Sequence, residues 1–325
     1  MTPNKIAALC GLALIAFSGS FAAPARADDF PYSFDNCGSE VTIKAEPKHI
    51  LLVNNSVLPI LNSLDALDLL VGRTADPIEG IYADEIVKKF QTVPLLSKAR
   101  NSTGGSVISL EAILSTQPDL VLAPENAADR ELLAKSGVPL ICPPAYCTDT
   151  SKIPAGRATF DLVYDVMLTY GRALGRSELA EKKIAELKAS VEALAPEKPG
   201  VNGTAVALYA TAGGKVLYPY GAQSMVTPVF EAAGLTNVYG DTDERVFEGS
   251  VEDLIAKDPE TIVMLYSFGA PEDATKTLKM IPALAGLKAV RNDRVIAFPF
   301  PYTDPPTPLS VKGVSVLLEK LKELQ

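Results

Sequence analysis

One segment of this chain is written twice, and that repetition constrains the fold more than any other feature. Ser109-Leu-Glu-Ala-Ile-Leu-Ser-Thr-Gln-Pro-Asp-Leu-Val-Leu and Ser250-Val-Glu-Asp-Leu-Ile-Ala-Lys-Asp-Pro-Glu-Thr-Ile-Val align without a gap, 141 residues apart. Each copy reads as a serine N-cap, an acid at the second helical position, two apolar core residues, a proline stop and a buried strand. A helix followed by such a strand is half of a crossover unit on a parallel sheet. Two copies this far apart predict two α/β lobes, which suits a chain of 325 residues. The repeat also places Glu111 and Glu252 at equivalent, exposed helix starts.

The flanking pattern supports this. Ile50-Leu51-Leu52-Val53 is a short apolar run suited to a buried parallel strand. Asn54-Asn55-Ser56 then opens a helical pattern through Leu58, Ile60, Leu61 and Leu64. Strands are expected again at Leu69–Gly72, Leu120–Ala123 and Val138–Ile141, with a helix from Arg130 to Ser136 capped by Gly137. From Phe160 to Leu194 apolar residues keep helical spacing over about 35 residues, with Gly171 and Gly175 as the weak points. Strand and helix signals then alternate through Ala205–Tyr209, Ser224–Ala233, Thr261–Tyr266 and Val295–Phe298, before an amphipathic stretch from Val311 to Leu324. The expected architecture is α/β: two Rossmann-like lobes with parallel sheets, bridged by a single long α-helix. The boundaries are 28–156 for the first lobe, 157–196 for the bridge and 197–325 for the second lobe.

Residues 1–27 read as an export signal. Lys5 precedes the apolar run Ile6 to Phe17, and Ala25-Arg26-Ala27 offers a small-x-small cleavage site. Cleavage after Ala27 removes Lys5 and Arg26 and takes the net charge from −9 to −11. A diffuse acidic balance argues against nucleic acid or an anionic membrane surface as the main partner. Export permits disulfides, and the mature chain keeps Cys37, Cys142 and Cys147, so one thiol is left over.

Catalytic readings fail on inventory. There is no GxSxG elbow and no GxGxxG after a strand, and Gly213-Gly214-Lys215 lacks the rest of a phosphate-binding loop. A Ser-His-acid triad would need His49, the only histidine. It precedes the first strand, opposite the strand ends where open α/β sheets bind ligands. A histidine-rich site for free zinc or manganese is excluded, and no resident metal or cofactor is expected. What remains is a set of aromatic and basic residues in and around the loops after the strands. They are Arg73 and Tyr82, Arg100, Tyr146, Tyr209, Tyr218 and Tyr220, Arg245 and Phe247, Tyr266 and Phe268, and Phe298, Phe300 and Tyr302. Asn55 joins them as a polar contact. Any one of these could be ordinary packing. Together they describe a cleft wall for a large, planar or aromatic, anionic ligand, since aromatic rings bury area and arginines meet oxyanions.

The chain resembles the periplasmic substrate-binding proteins of ABC importers for iron–siderophore complexes, haem and cobalamin. The resemblance runs over residues 32–325. It rests on Asn36-Cys37-Gly38-x-Glu40-Val41-Thr42, Ala45-Glu46-Pro47-Lys48-His49-Ile50, Leu70-Val71-Gly72-Arg73, the two repeated units, Gly137-Val138-Pro139 and Tyr170-Gly171-Arg172-Ala173-Leu174-Gly175, in that family's order. It implies two Rossmann-like lobes joined by one long helix, and capture of a ligand between them. It gives Glu111 and Glu252 the task of docking onto arginines of an inner-membrane permease. It implies a Cys37–Cys147 disulfide, with a local Cys142–Cys147 bridge as the competing connectivity. The ligand it implies is a ferric siderophore bound by a monomer. Haem, cobalamin or another metal chelate is the alternative, and an exported hydrolase ranks last. Within that class, three arginines would suit a trianionic catecholate complex, whereas neutral hydroxamates would lean on the tyrosines.

Overall fold

The computed structural model describes residues 30–101, 105–152, 156–194, 203–210, 216–267 and 269–324. The expected leader, Gly213-Gly214-Lys215 and Phe268 lie outside the described residues. The chain enters through an antiparallel hairpin, β1 (Tyr32–Asn36) and β2 (Ser39–Ile43), turned by Cys37 and Gly38. The first lobe is then built on four parallel strands, β3 (Ile50–Leu52), β4 (Leu70–Arg73), β5 (Leu120–Leu122) and β6 (Leu140–Ile141), in the order β4-β3-β5-β6. Their residues are almost all apolar and buried, as expected for strands covered on both faces. Around them lie α1 (Leu58–Ser63), α2 (Asp84–Gln91), α3 (Leu110–Ser115) and α4 (Arg130–Lys135).

The second lobe holds β7 (Gly203–Ala210), β8 (Leu217–Pro219), β9 (Leu235–Asn237), β10 (Thr261–Tyr266) and β11 (Val295–Pro299). The order is β11-β10-β7-β8, with β9 also on β7. All its pairings are parallel except one: β8 returns antiparallel beside the upper half of β7, with Tyr209 opposite Tyr218. Its helices are α7 (Val226–Ala232), α8 (Val251–Lys257), α9 (Pro271–Lys279), α10 (Lys288–Arg291) and the C-terminal α11 (Pro308–Glu323).

The two-lobed α/β architecture with parallel sheets is as expected, but the bridge needs a correction. The stretch expected as a single long α-helix is two helices, α5 (Asp161–Ala173) and α6 (Ser177–Leu194). Gly175 stands between them at φ +68°, a left-handed conformation that ends a helix at little cost only for glycine. Arg176 then bonds through its backbone N–H to Gly171 O at 2.6 Å, and its guanidinium caps the Leu64 carbonyl beyond α1 at 3.0 Å. The two helices run antiparallel. Gly171 faces Ala180 near the turn, and Lys188 lies over the Tyr164 ring farther along. α6 carries the chain across: Ala180 and Ile184 belong to the first lobe's core, and Leu194 packs on the second lobe's core. Helical periodicity survives the break because both helices turn apolar faces to one core.

Candidate ligand-binding site between the lobes

Three elements of the second lobe and one turn of the first converge on a buried ion pair. Arg245 lies on the extended segment that flanks β8, where Val246 bridges to Tyr220, and Asp304 lies in the turn after β11. Their side chains are 16% and 1% exposed, and the guanidinium Nη1 donates to Asp304 Oδ2. Burial pushes the Asp304 carboxyl up, while Arg245 and the Met225 N–H pull it back. Burial works against the Arg245 charge, but the Asp304 carboxylate outweighs it and holds the guanidinium protonated. A guanidinium does not give up its proton in a protein, so Arg245 keeps its charge at neutral pH.

Tyr146, from the 3-10 turn Pro144–Tyr146 of the first lobe, sets its ring 5.8 Å from the Arg245 guanidinium carbon. Tyr220 is buried beside the pair. Burial raises both phenols, so both are neutral where the protein works. Phe300 packs nearby, edge-on to Tyr209 at 5.9 Å and tilted against Tyr220 at 6.1 Å. Next to the pair a cavity of about 250 Å³ opens between the lobes. Ala145 lines it from the first lobe, Leu162 and Val166 from α5, and Gln223, Met225 and Asp304 from the second lobe. A second cavity of about 240 Å³ is lined by second-lobe residues alone, among them Leu278, Ile281 and Val290.

The other candidates are distributed as follows. Arg73 is 6% exposed: Nε donates to Val93 O at 3.0 Å, and Nη1 to Ala75 O at 3.1 Å and to Asp76 at 2.5 Å. It also stacks on the Phe90 ring at 5.2 Å, so it fastens the loop after β4. Arg100 is exposed, and it donates to two backbone carbonyls, Thr74 O at 2.9 Å and Ala99 O at 2.8 Å. Among the described residues no carboxylate pairs with it. Asn55 donates to Asp76 O, and its Oδ1 is buried without a partner, as is the neighbouring Ser56 Oγ. Tyr82 is half-buried and packs against the cores of both lobes, its phenol raised by burial and by nearby Tyr302. Tyr302 is itself buried against Phe298, and Gly313 makes room for it: a Cβ there would meet the Tyr302 carbonyl oxygen at 2.0 Å. Tyr266 ends β10, its phenol raised by partial burial and then by the Glu272 charge. Phe247 packs edge-on to Tyr239 at 5.3 Å in a separate second-lobe core cluster. His49 is exposed at the start of β3, with its backbone N–H on Asp119.

Residues 50–302 match the family described as periplasmic binding protein. The chain belongs to that family. A solved structure of an ABC-type Fe3+-hydroxamate transport system from Saccharomonospora viridis is 38% identical, with a TM-score of 0.81, over 90% of this chain and 99% of that one. A cobalamin-binding protein of Halobacterium salinarum is 25% identical over 300 residues, 89% of this chain and 74% of that protein. An Fe(3+)-citrate-binding protein of Bacillus subtilis is 24% identical over 258 residues, 79% of this chain and 74% of that protein. The family and its solved neighbours are substrate-binding transport proteins, not enzymes, and they work with ABC permeases outside the cytoplasm.

In this periplasmic binding protein Arg245, Asp304 and Gln223 line the interlobe cavity, while Tyr146 and Tyr220 stand beside the ion pair, Phe300 packs against Tyr220 and Tyr209, and Tyr218 pairs with Tyr209 across β7 and β8. Sequence reasoning missed Asp304 and Gln223. The only sequence signal for Asp304 was its place in the turn after the last strand, where open sheets carry ligand-facing residues. Glu111 and Glu252 are both exposed in the first turn of their helices, capped by Ser109 and Ser250. Each carboxyl is held low by its own backbone N–H and then by the capping serine. The disulfide joins Cys37 to Cys147, and Cys142 is a free, buried thiol.

Proposed function

We propose that this periplasmic binding protein captures a ferric siderophore of low net charge, of the hydroxamate class, between its lobes and hands it to an ABC permease. The observation that carries this reading is the pairing of the cations near the cleft. Of the three arginines expected to face the ligand, Arg245 is committed to Asp304 and Arg73 is tied into its own loop by Asp76, so Arg100 alone has no carboxylate partner among the described residues. A trianionic catecholate complex would meet little uncompensated positive charge. A neutral ferric hydroxamate asks for aromatic surface and a few polar groups, which Tyr146, Tyr209, Tyr218, Tyr220 and Phe300 supply. The 38% identity to a protein named for Fe3+-hydroxamate transport supports the same class. Haem is the second reading, because a tyrosine can ligate its iron. Against it, burial raises the Tyr146 and Tyr220 phenols and disfavours the phenolate that ferric iron needs.

Glu111 and Glu252, one on each lobe, are the proposed contacts to permease arginines. Helix N-termini in such folds lie at the same end of each sheet as the ligand loops, so both acids face the side from which the ligand must leave. The chain has no tryptophan, so tyrosine fluorescence reports on the site without interference. Titration with ferric trihydroxamate, ferric triscatecholate, ferric citrate, haemin and cobalamin should give saturable sub-micromolar quenching with the hydroxamate, and affinity at least about tenfold weaker with the catecholate. Saturable quenching by haemin or cobalamin alone would overturn the siderophore assignment. Equal or tighter catecholate binding would overturn the charge argument.

A further inference from the structure

Three sulfur atoms meet where the entry hairpin joins the first lobe. The Sγ atoms of Cys37, Cys142 and Cys147 all lie within 4.8 Å of one another, although two are bonded and the third is a thiol. Cys37 occupies the turn between β1 and β2, Cys142 follows β6 directly, and Cys147 follows the 3-10 turn that carries Tyr146. Asn36 holds this arrangement. Its Nδ2 donates to Cys142 O and its Oδ1 accepts from Cys142 N, both at 2.8 Å. The hairpin turn and the end of β6 are thereby clamped, and the Cys142 sulfur is kept against the bridge.

We infer that Cys142 is the resident attacking thiol of an internal thiol–disulfide exchange that converts the Cys37–Cys147 bridge into Cys142–Cys147 and leaves a free thiol at Cys37. Cys142 first loses its thiol proton to solvent. Its thiolate sulfur bonds to Cys147 Sγ while the Cys37–Cys147 bond breaks, and the electron pair departs on Cys37 Sγ, which then takes up a proton. One disulfide and one thiol are present before and after, so no oxidant or reductant is consumed. Attack on Cys37 instead would expel a thiolate from Cys147, which is 6% exposed, whereas Cys37 is a partly exposed residue in a turn. The better-solvated leaving group favours release of Cys37.

The consequence is a thiol moved from a fully buried position to a partly exposed one. Cys37 then becomes a modification site for a soft electrophile or a small-molecule disulfide. At the same time the hairpin loses its covalent hold on the segment that presents Tyr146 to the cleft. The structure also sets the pace. Burial pushes the Cys142 thiol up to about 12; a backbone hydrogen bond at Glu125 pulls it down, the Glu125 charge adds to the rise and Arg130 opposes it. The neutral phenols of Tyr146 and Tyr170 complete its titratable surroundings. Thiolate is scarce at neutral pH, and exchange should quicken about tenfold per pH unit.

The oxidised full-length mature protein, incubated with iodoacetamide between pH 7 and 9 and mapped by mass spectrometry without reduction, tests this. The expected product is alkylated Cys37 with a Cys142–Cys147 cross-link, forming at a rate that rises with pH and is indifferent to low urea. Cys142→Ala and Cys142→Ser, checked for folding by thermal melting, should abolish labelling of Cys37. Labelling of Cys142 or Cys147, labelling of Cys37 undiminished in the variants, a rate that climbs with low urea, or no labelling at pH 9 would each overturn the inference. The wild-type map decides alone if neither variant folds.

Discussion

Replacing Asp304 with alanine should be among the most damaging single changes in the second lobe, and its cost can be worked from the site. The carboxylate is 1% exposed and Arg245 is 16% exposed, so solvent can replace the lost partner only in part. The groups left around the guanidinium are neutral phenols, Tyr146 and Tyr220. Orphaning a buried charge in this way costs about 3–5 kcal/mol. For a chain of this size that corresponds to a fall in Tm of roughly 6–20 °C, toward the lower end. Arg245→Met should be costly too, because it strands the carboxylate. The double variant Arg245→Met/Asp304→Ala removes both charges and should lie within about 1–2 kcal/mol of the native protein, since apolar replacement of a buried pair is often neutral. Urea unfolding followed by tyrosine fluorescence gives the coupling energy, expected at about 2 kcal/mol or more and nearly independent of salt. Single variants each within about 1 kcal/mol of native, with additive effects, would refute the claim that solvent replaces the lost partner only in part. A ligand readout accompanies the stability one: in folded Asp304→Ala the freed guanidinium should strengthen binding of ferric triscatecholate while hydroxamate affinity stays nearly level.

Cys37→Ser opens a bridge between residues 110 apart and should lower stability by about 4–5 kcal/mol, measured by urea unfolding; a loss under about 1 kcal/mol would mean the closed loop barely restrains the unfolded chain. Glu125 is held below its usual 4.5 because Thr148 and Arg130 overcome the opposing effect of burial. Its contribution is therefore complete above about 4.5 and lost as pH falls through the lowered folded value, so the stability gap between native and Glu125→Gln should close in acid; a gap constant from pH 7 to 3 would contradict this. Glu111→Ala and Glu252→Ala should leave ligand affinity unchanged in the isolated protein yet impair uptake by cells, and weakened ligand binding by either would remove the docking role. Small-angle scattering profiles with and without ligand should nearly superimpose, and a large compaction would point to a flexible hinge.

How much of this was legible in the sequence depends on which force decided each element. The buried strands were, because continuous apolar runs such as Ile50–Leu52 and Leu120–Leu122 admit few other fates. The break at Gly175 was visible only as a glycine. Periodicity reports which face is buried, and α5 and α6 bury theirs in a shared core, so the pattern runs through the turn unchanged. The antiparallel β8 was hidden because Leu217-Tyr218-Pro219 is too short to declare a direction. Site residues were legible by position and not by partner. Arg73 stands at the end of its strand as expected, yet Phe90 and the Val93 carbonyl, which claim its guanidinium, lie 17 and 20 residues further on. Arg245 and Asp304 are 59 residues apart, and no local rule pairs them. Such contacts are products of tertiary packing, which propensity and spacing do not encode.

The same packing explains why recognition should rest on shape and charge balance more than on closure. α6 is one of several ties between the lobes. Ile78, Ile81 and Tyr82 of the first lobe sit in or against the second lobe's core, with Ile81 only 4% exposed. In return Val311 of α11 and Met225 lie in the first lobe's core. The backbone bond from Ala158 N to Ala222 O fastens the start of α5 to the loop beside the ion pair. Swinging the lobes apart would draw these apolar side chains into water, at about 1.5–3 kcal/mol for each one fully exposed. The resting site is therefore close to its working form, and ordering cost is small when a ligand arrives. Under the proposed function, a preformed aromatic wall whose buried cation is already balanced by its own carboxylate would discriminate against charge that its ligand cannot itself neutralise, and so would select neutral chelates.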